Sequence, residues 1–460
     1  MTHKPGGPAL KRELGLWSAA SIVVGTVIGS GIFLVPKTMI NSVGSPEWVF
    51  AVWIFGGILS LAGALTYAEL AAAMPEAGGE YVYLREAYGP LFAFIYGWTQ
   101  MWVAKSGSIA TLATAFFYYL ANFWPALEQT AFVTGLPVGP GGAPLEISRG
   151  QIFAMGVILV LAVVNYFGVR FGGGVQVAMT VVKVALIAGV IAIGLMAPVG
   201  TVANFSTSTT TAVGGISGFF AALVAALWAY DGWNNVAMVS SEVQEPQRNL
   251  PRALILGTIF VILIYLGANL AYFYVLNATE VGQTDRVAAE MMRKVMGAGG
   301  AGAVSIAAMI SIFAALNGSI LTGARVPYAM ARDGLFFRTI GEVHPRYFTP
   351  ANSILAMSGW AALLVLSGRY EDLFNYVIFS SWILYGMATA SVIVLRRKRP
   401  EMPRPYRALG YPVVPVLFVL VAAALLLSTL QSRPRESLLG IGIILAGLPF
   451  YARWRKRYSV

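Results

Sequence analysis

Along this chain apolar residues gather in blocks of about twenty, divided by short polar stretches that hold most of the Lys, Arg, Asp and Glu. A block of that length crosses a hydrocarbon core of about 30 Å as an α-helix. Helices satisfy their own backbone in lipid, and the alternating segments of about ten residues that a membrane β-barrel needs are missing from the pattern. The expected fold class is an all-α membrane protein. Its twelve transmembrane helices are expected over residues 14–41, 48–73, 87–120, 149–169, 173–197, 214–243, 251–277, 301–331, 350–368, 371–395, 412–431 and 436–453.

Two of these spans break their own pattern. The first contains Gly25-Thr26-Val27-Ile28-Gly29-Ser30-Gly31, and the sixth Trp228-Ala229-Tyr230-Asp231-Gly232-Trp233-Asn234. Glycine inside a helix costs about 1 kcal/mol against alanine, so Gly29 and Gly31 around Ser30 invite an interruption. Asp231 beside Gly232 does the same, and a lone carboxylate is costly at that depth. Close helix packing through glycine accounts for one such site as well as a break does. Two sites at matching places in spans 1–5 and 6–10 point instead to an inverted-repeat transporter with a site near the bilayer midplane. The expected organisation is one transmembrane transporter domain, 1–460. It divides into a first repeat (1–197), a second (198–398), and a remainder (399–460) with the last two spans and a tail.

Composition narrows the class further. Hydrophobic residues make up 57% and charged residues only 11%, too little charge to cover a soluble domain of this length. Cysteine is absent, which excludes disulfides, thiolate metal sites and cysteine-attached haem. His3 and His344 are the only histidines and both sit in polar stretches, so no metal site and no cofactor is expected. Lys4, Lys11 and Arg12 precede an apolar run without a small-residue cleavage site, which reads as a permanent first span.

The net charge of +11 follows membrane topology. Arg85, Arg170, Arg248, Arg252, Arg332, Arg338, Arg346, the run Arg396-Arg397-Lys398-Arg399 and the Arg453–Arg457 tail fall on one side. Arg149, Arg286, Arg293, Lys294, Arg369, Arg433 and Arg435 fall on the other. The excess on the first side predicts a multi-pass inner-membrane protein with both termini cytoplasmic. No basic face is interleaved with exposed aromatics, so no nucleic-acid partner is expected; the partners are the lipid bilayer and a small solute.

Several motifs are specific together. They are Val24–Phe33, Tyr67-Ala68-Glu69-Leu70 with Pro75 and Gly78-Gly79-Glu80-Tyr81, and Trp228–Asn234 with Pro246 and Arg248-Asn249-Leu250-Pro251. Leu316-Asn317-Gly318-Ser319, Arg399-Pro400-Glu401, Arg404-Pro405-Tyr406-Arg407 and Gly410-Tyr411-Pro412 complete the set. Across nearly its whole length the chain resembles the amino acid–polyamine–organocation superfamily, and within it the L-type amino-acid transporter family, as a bacterial member. The resemblance implies the leucine-transporter type of fold, five plus five inverted spans with discontinuous helices 1 and 6 and two further helices at the end. The family's animal light chains bond a glycoprotein heavy chain through an outer-loop cysteine. This chain has none, so it is expected to have no disulfide-linked heavy chain and to work as a monomer. In span 3 Lys105-Ser106-Gly107-Ser108 lacks the proline that the family often has after its basic residue.

An amino-acid zwitterion needs partners at both ends once stripped of water. A half-helix starting near Ser30 and Gly31 would offer N–H groups to the α-carboxylate. One ending near Val27, Ile28 and Gly29 would offer C=O groups to the α-ammonium, with carbonyls near Trp228, Ala229 and Asp231 completing its shell. The resemblance assigns these backbone roles to Val27, Ser30, Gly31, Trp228 and Ala229, makes Trp228 a ring that closes over substrate, and places Phe379 and Ser381 beside the side-chain pocket. Tyr230 reads either as a substrate contact or as a packed tyrosine. Lys183, mid-way through span 5, sits where an ammonium is normally functional. In sodium-coupled relatives of the fold this region helps form a cation site, and a lysine there removes the need for sodium or serves a proton cycle.

Asp231 reads as a cap of the second half of helix 6 or as an acceptor for cationic side chains. Arg325 pairs with an unidentified carboxylate at the inner gate, and Glu69, Glu80 and Glu242 read as solvated or gating charges near the inner mouth. The expected function is sodium-independent exchange of neutral L-amino acids by alternating access. Proton-coupled uptake through Lys183 and exchange of cationic amino acids through Asp231 are the alternatives on the same fold. A sensor that binds amino acid without moving it is the alternative from another class. Without cysteine, membrane histidine or an intramembrane carboxylate pair, no enzyme is expected.

Overall fold

A computed structural model describes residues 9–134, 146–210, 212–367, 370–432 and 434–458. His3, Lys4, Arg369 and Arg433 lie outside the described residues, as do the side chains of Arg170, Arg435 and Arg457. The first apolar block forms two helices, α1 (Leu16–Val27) and α2 (Gly31–Val43), bent by about 40° across Ile28–Ser30. Pro46 opens α3 (Pro46–Ala73) at a position where a missing N–H is harmless. Next come α4 (Glu80–Tyr88) and α5 (Pro90–Thr99), the latter joined by a π-turn over Gln100–Ala104 to α6 (Lys105–Leu120). The π-turn stands at the motif that lacks its proline, and Ser106 Oγ closes it by donating to Met101 O at 2.6 Å. Wide turns of this kind recur at functional sites.

The all-α expectation has one exception among the described residues. Strands β1 (Thr130–Val133) and β2 (Glu146–Ser148) form a small antiparallel pair between α6 and α7. Helix α7 (Arg149–Tyr166) starts with a reciprocal cap between Ser148 and Gln151 and is followed by α8 (Val169–Leu195). The sixth block gives α9 (Gly215–Tyr230) and only a single turn, α10 (Asn235–Met238). The remaining helices are α11 (Pro246–Val275), α12 (Ala278–Gln283), α13 (Val287–Gly323), α14 (Arg325–Arg332) and α15 (Ala351–Leu364). They are completed by α16 (Tyr370–Lys398), α17 (Val413–Ser432), α18 (Pro434–Ala446) and α19 (Leu448–Tyr458).

Among the described residues seven helices are long and apolar enough to cross a membrane, and eight if α1 and α2 count as one span. The difference from twelve has a physical reason. The expected third span is divided by the π-turn and the sixth by Asp231–Asn234, while α15 and α18 run only 14 and 13 residues.

Around an apolar core the exterior is apolar too, and several charges lie inside. Leu256, Leu263, Leu420 and Leu427 are exposed, whereas Lys105, Lys183, Glu69, Glu80, Glu242 and Arg325 are buried. An exterior of this kind suits lipid. Three carboxylates expected near a wet mouth are thus enclosed, and each has donors from distant segments. Glu69 takes Arg396, Arg404 and the N–H of Ala408. Glu80 accepts from Tyr96 Oη at 3.0 Å and from the Asn234 amide. Glu242 holds Arg325 through both oxygens, at 2.7 and 2.9 Å; it is the partner that the sequence left unidentified. Ahead of α1, the N–H groups of Glu13 and Leu14 donate to Glu242 O, and that of Gln244 donates to Leu14 O. The segment entering α1 therefore runs parallel beside the one leaving α10. On the surface, Arg85 is bonded to Asp333, Glu76 and Glu86. Burial weakens its charged form most, but the Asp333 and Glu76 carboxylates together outweigh that and hold the guanidinium above its ordinary pKa.

Candidate functional site

The site begins where α1 stops. Gly29 N–H turns back to Val27 O at 2.8 Å, and α2 starts with Gly31 against the end of α9. A Cβ placed on Gly31 would lie 2.6 Å from both Cα and Cβ of Ala229, so only glycine lets the two interruptions touch at this distance. Gly232, at φ +104°, turns the chain after Asp231 in a conformation that favours glycine. The Tyr265 hydroxyl, on α11, lies 2.8 Å from both Val27 O and Ala229 O and so sits across the two helix ends.

Two buried lysines flank these breaks. Lys183 Nζ, from α8, donates to Gly25 O and Ile28 O at 2.6 Å each and to Ser311 O at 3.2 Å. An ammonium has three protons to give, and here each meets a carbonyl. Ser311 Oγ donates to Ile28 O as well, at 2.9 Å. Lys105 Nζ, at the start of α6, donates to Asn235 Oδ1 at 2.6 Å, and no ion pair of Lys105 occurs among the described residues. Asp231 Oδ1 accepts from Tyr385 Oη at 2.8 Å.

Between the breaks lies a small, tightly closed pocket lined by residues of both. Of the expected residues, Val27, Gly29, Ser30, Gly31, Trp228 and Asp231 line it. Ile28 and Ala229 stand behind them, their carbonyls bonded to Lys183 and Tyr265. Tyr230 turns away: its hydroxyl donates to Trp53 O at 3.1 Å and its ring packs on Trp53 and Tyr265. Phe379, buried against Gly440, and Ser381, also buried, are not among the lining residues.

Asp231 does not cap the second half of the broken helix. It is the residue that ends α9, while Asn234 stands before α10 and makes no side-chain cap bond. That half is one turn long, which leaves little for a cap to stabilise.

The pocket also uses residues given no binding role from the sequence, namely Leu112, Asn235, Ser108 and Ser319, together with Thr26 and Gly232 of the two interruptions. Ser108 and Ser319 lie within motifs that stood out for other reasons. Leu112 and Tyr265 have no local signature. A wider cleft near Tyr118, Asn122, Arg286 and Ser305 contains no residue of either interruption.

The amino acid permease family matches residues 14–446. The chain belongs to the amino acid permease family. This permease is 34% identical to the b(0,+)-type amino acid transporter 1 of Homo sapiens, over 98% of its own length and 89% of the relative's. It is also 34% identical to the serine/threonine exchanger SteT of Bacillus subtilis (strain 168), over 97% of its length and 98% of the relative's. The cystine/glutamate transporter of Homo sapiens is 30% identical, covering 96% and 85%. The superfamily read from the motifs is thus the right one. The permease is a multi-pass membrane transporter and not an enzyme.

Proposed function

We propose that this permease exchanges neutral L-amino acids across the cell membrane by alternating access, independently of sodium. One observation carries the reading: two interrupted helices meet at Gly31 and Ala229 and leave peptide groups around a small polar pocket. The first turn of α2 would take the α-carboxylate on its N–H groups and positive dipole end. Val27 O and Ala229 O would take the α-ammonium, joining or displacing the Tyr265 hydroxyl that bonds them in the structure. Trp228 would close over the bound solute. Phe379 and Ser381 would border the path of its side chain, and Tyr230 would support the site by packing. The carbonyls of Gly25, Ile28 and Ser311 form the kind of cage that binds a cation, and the Lys183 ammonium fills it, which supports transport without sodium. The similarity to a serine/threonine exchanger supports exchange over net uptake.

The same reading includes a leucine-transporter-type arrangement of twelve spans, with repeats over 1–197 and 198–398 and the last two spans in 399–460. It also includes cytoplasmic termini, from the Lys and Arg bias of the loops, and function as a monomer without a heavy chain. Purified protein in liposomes tests the mode of transport. Uptake of labelled amino acid is expected only into vesicles preloaded with amino acid, and unchanged when potassium replaces sodium. Accumulation in empty vesicles under an imposed pH gradient would replace exchange with proton coupling.

A further inference from the structure

The second interruption contains a donor that the backbone roles above leave unused. Asn235 is 1% exposed and lines the pocket. Its amide can be oriented by chemistry, because an ammonium only donates and Lys105 Nζ lies 2.6 Å from one end of it. That end is therefore the oxygen, and Nδ2 faces the other way. It points at the turn, where a Cβ built on Gly232 would come within 3.2 Å of it. Among the described residues Nδ2 makes no hydrogen bond, and its residue lies on the pocket wall. A donor left free on the wall of an enclosed pocket needs an acceptor, and the group placed to supply one is the solute itself.

Charge restricts which solute that is. Lys105 stands behind Asn235, and Asp231 lines the same wall. For a charged side chain of either sign the attraction of one of these groups is offset by the repulsion of the other, whereas a neutral polar one needs neither. Ser108 and Ser319 add hydroxyls to the same small pocket.

We infer that Asn235, oriented by Lys105, makes this permease select neutral amino acids whose side chain carries a hydrogen-bond-accepting oxygen. Asn235 is the specificity residue and Lys105 the positioning residue. The inference rests on the exchange reading above. It adds a preference within neutral substrates that the backbone cradle, blind to side chains, has no means to impose.

Isosteric pairs isolate the oxygen. Threonine differs from valine, and O-methylserine from norvaline, by an oxygen in place of a carbon, and the ether oxygen of O-methylserine only accepts. In liposomes holding the wild-type protein, threonine and O-methylserine are each expected to compete against labelled serine about tenfold better than their apolar partners, the effect of one hydrogen bond. Asn235→Asp keeps the volume, gives Lys105 a carboxylate partner and turns the donor into an acceptor. In that variant O-methylserine is expected to lose its advantage over norvaline while threonine, which can also donate, keeps its own. Lys105→Met combined with Asn235→Leu removes the pair without stranding a charge, and the threonine to valine ratio is expected to fall to about one, threonine losing more than valine. Equal competition by threonine and valine in the wild type overturns the inference, as does an unchanged O-methylserine preference in Asn235→Asp. If the wild type exchanges no amino acid at all, it is the exchange reading that fails.

Discussion

At the first interruption Lys183 gives its protons to three backbone carbonyls, Gly25 O, Ile28 O and Ser311 O. At the second, Lys105 gives one to the side chain of Asn235. A carbonyl cage does not change when a neighbouring side chain is substituted, so it suits whatever stays constant from one solute to the next. A cage made by an amide side chain changes with a single substitution, so it suits what varies. The part of an amino acid that never varies is its α-amino and carboxylate end. On this view the first break, with Ala229 O from the second, serves the shared end of the substrate, and Asn235 of the second serves its side chain.

The strongest test of that division removes the lysines in turn. Lys183→Met takes the ammonium from Gly25 O and Ser311 O in a dry interior and leaves Ile28 O only its bond from Ser311 Oγ; each group left unpaired costs about 1–3 kcal/mol. Exchange in liposomes is expected to fall about 100-fold or more for every substrate alike, with a lower unfolding temperature in detergent. Lys105→Met is expected to cost about tenfold, unequally between substrates. Equal and substrate-independent losses would erase the distinction between the breaks.

Gly31→Ala comes next, because its Cβ would press on the Ala229 backbone at 2.6 Å. Overpacking of about 1–3 kcal/mol predicts a loss near thirtyfold. At Gly29 the first atom met is the end of the Leu112 side chain at 3.2 Å, which can move, so Gly29→Ala is expected to lose about threefold at most. Similar losses at the two glycines would show that the breaks need not touch. Tyr265→Phe removes the hydroxyl shared by the two helix ends and is expected to weaken apparent substrate affinity about tenfold. A change confined to some substrates would place Tyr265 with the side-chain half of the site. Ser311→Ala should have a similarly small effect, about threefold, since Ile28 O keeps its bond to Lys183.

How much of this could be read from the chain depended on how local each signal is. The interruptions were legible because glycine and serine within an apolar helix, and an aspartate within another, act on their own backbone. Lys183 was legible for a similar reason, as a lone charge in a long apolar run. The length of the second half of the broken sixth span was not, because nothing in Asn235–Met238 forbids a longer helix. Nor was the enclosure of Glu69, Glu80 and Glu242, whose donors Arg396, Tyr96 and Arg325 come from other helices. Tyr265 illustrates the limit best. Its place across Val27 O and Ala229 O depends on how α11 is rotated against α1, and no pattern within α11 records that rotation. Asn317 is similar: it belongs to a motif that stood out, yet it bonds Asn165 and Gln176 away from the pocket.

The parallel pairing of Leu14 with Val243 has a mechanical consequence. Through it the stretch that leads into one severed helix is stitched to the stretch that follows the other, and the Glu242–Arg325 pair pins that seam to α14. At this end of the bundle neither helix can swing away by itself. Any outward tilt must drag both along as one lever or unpick the seam bond by bond.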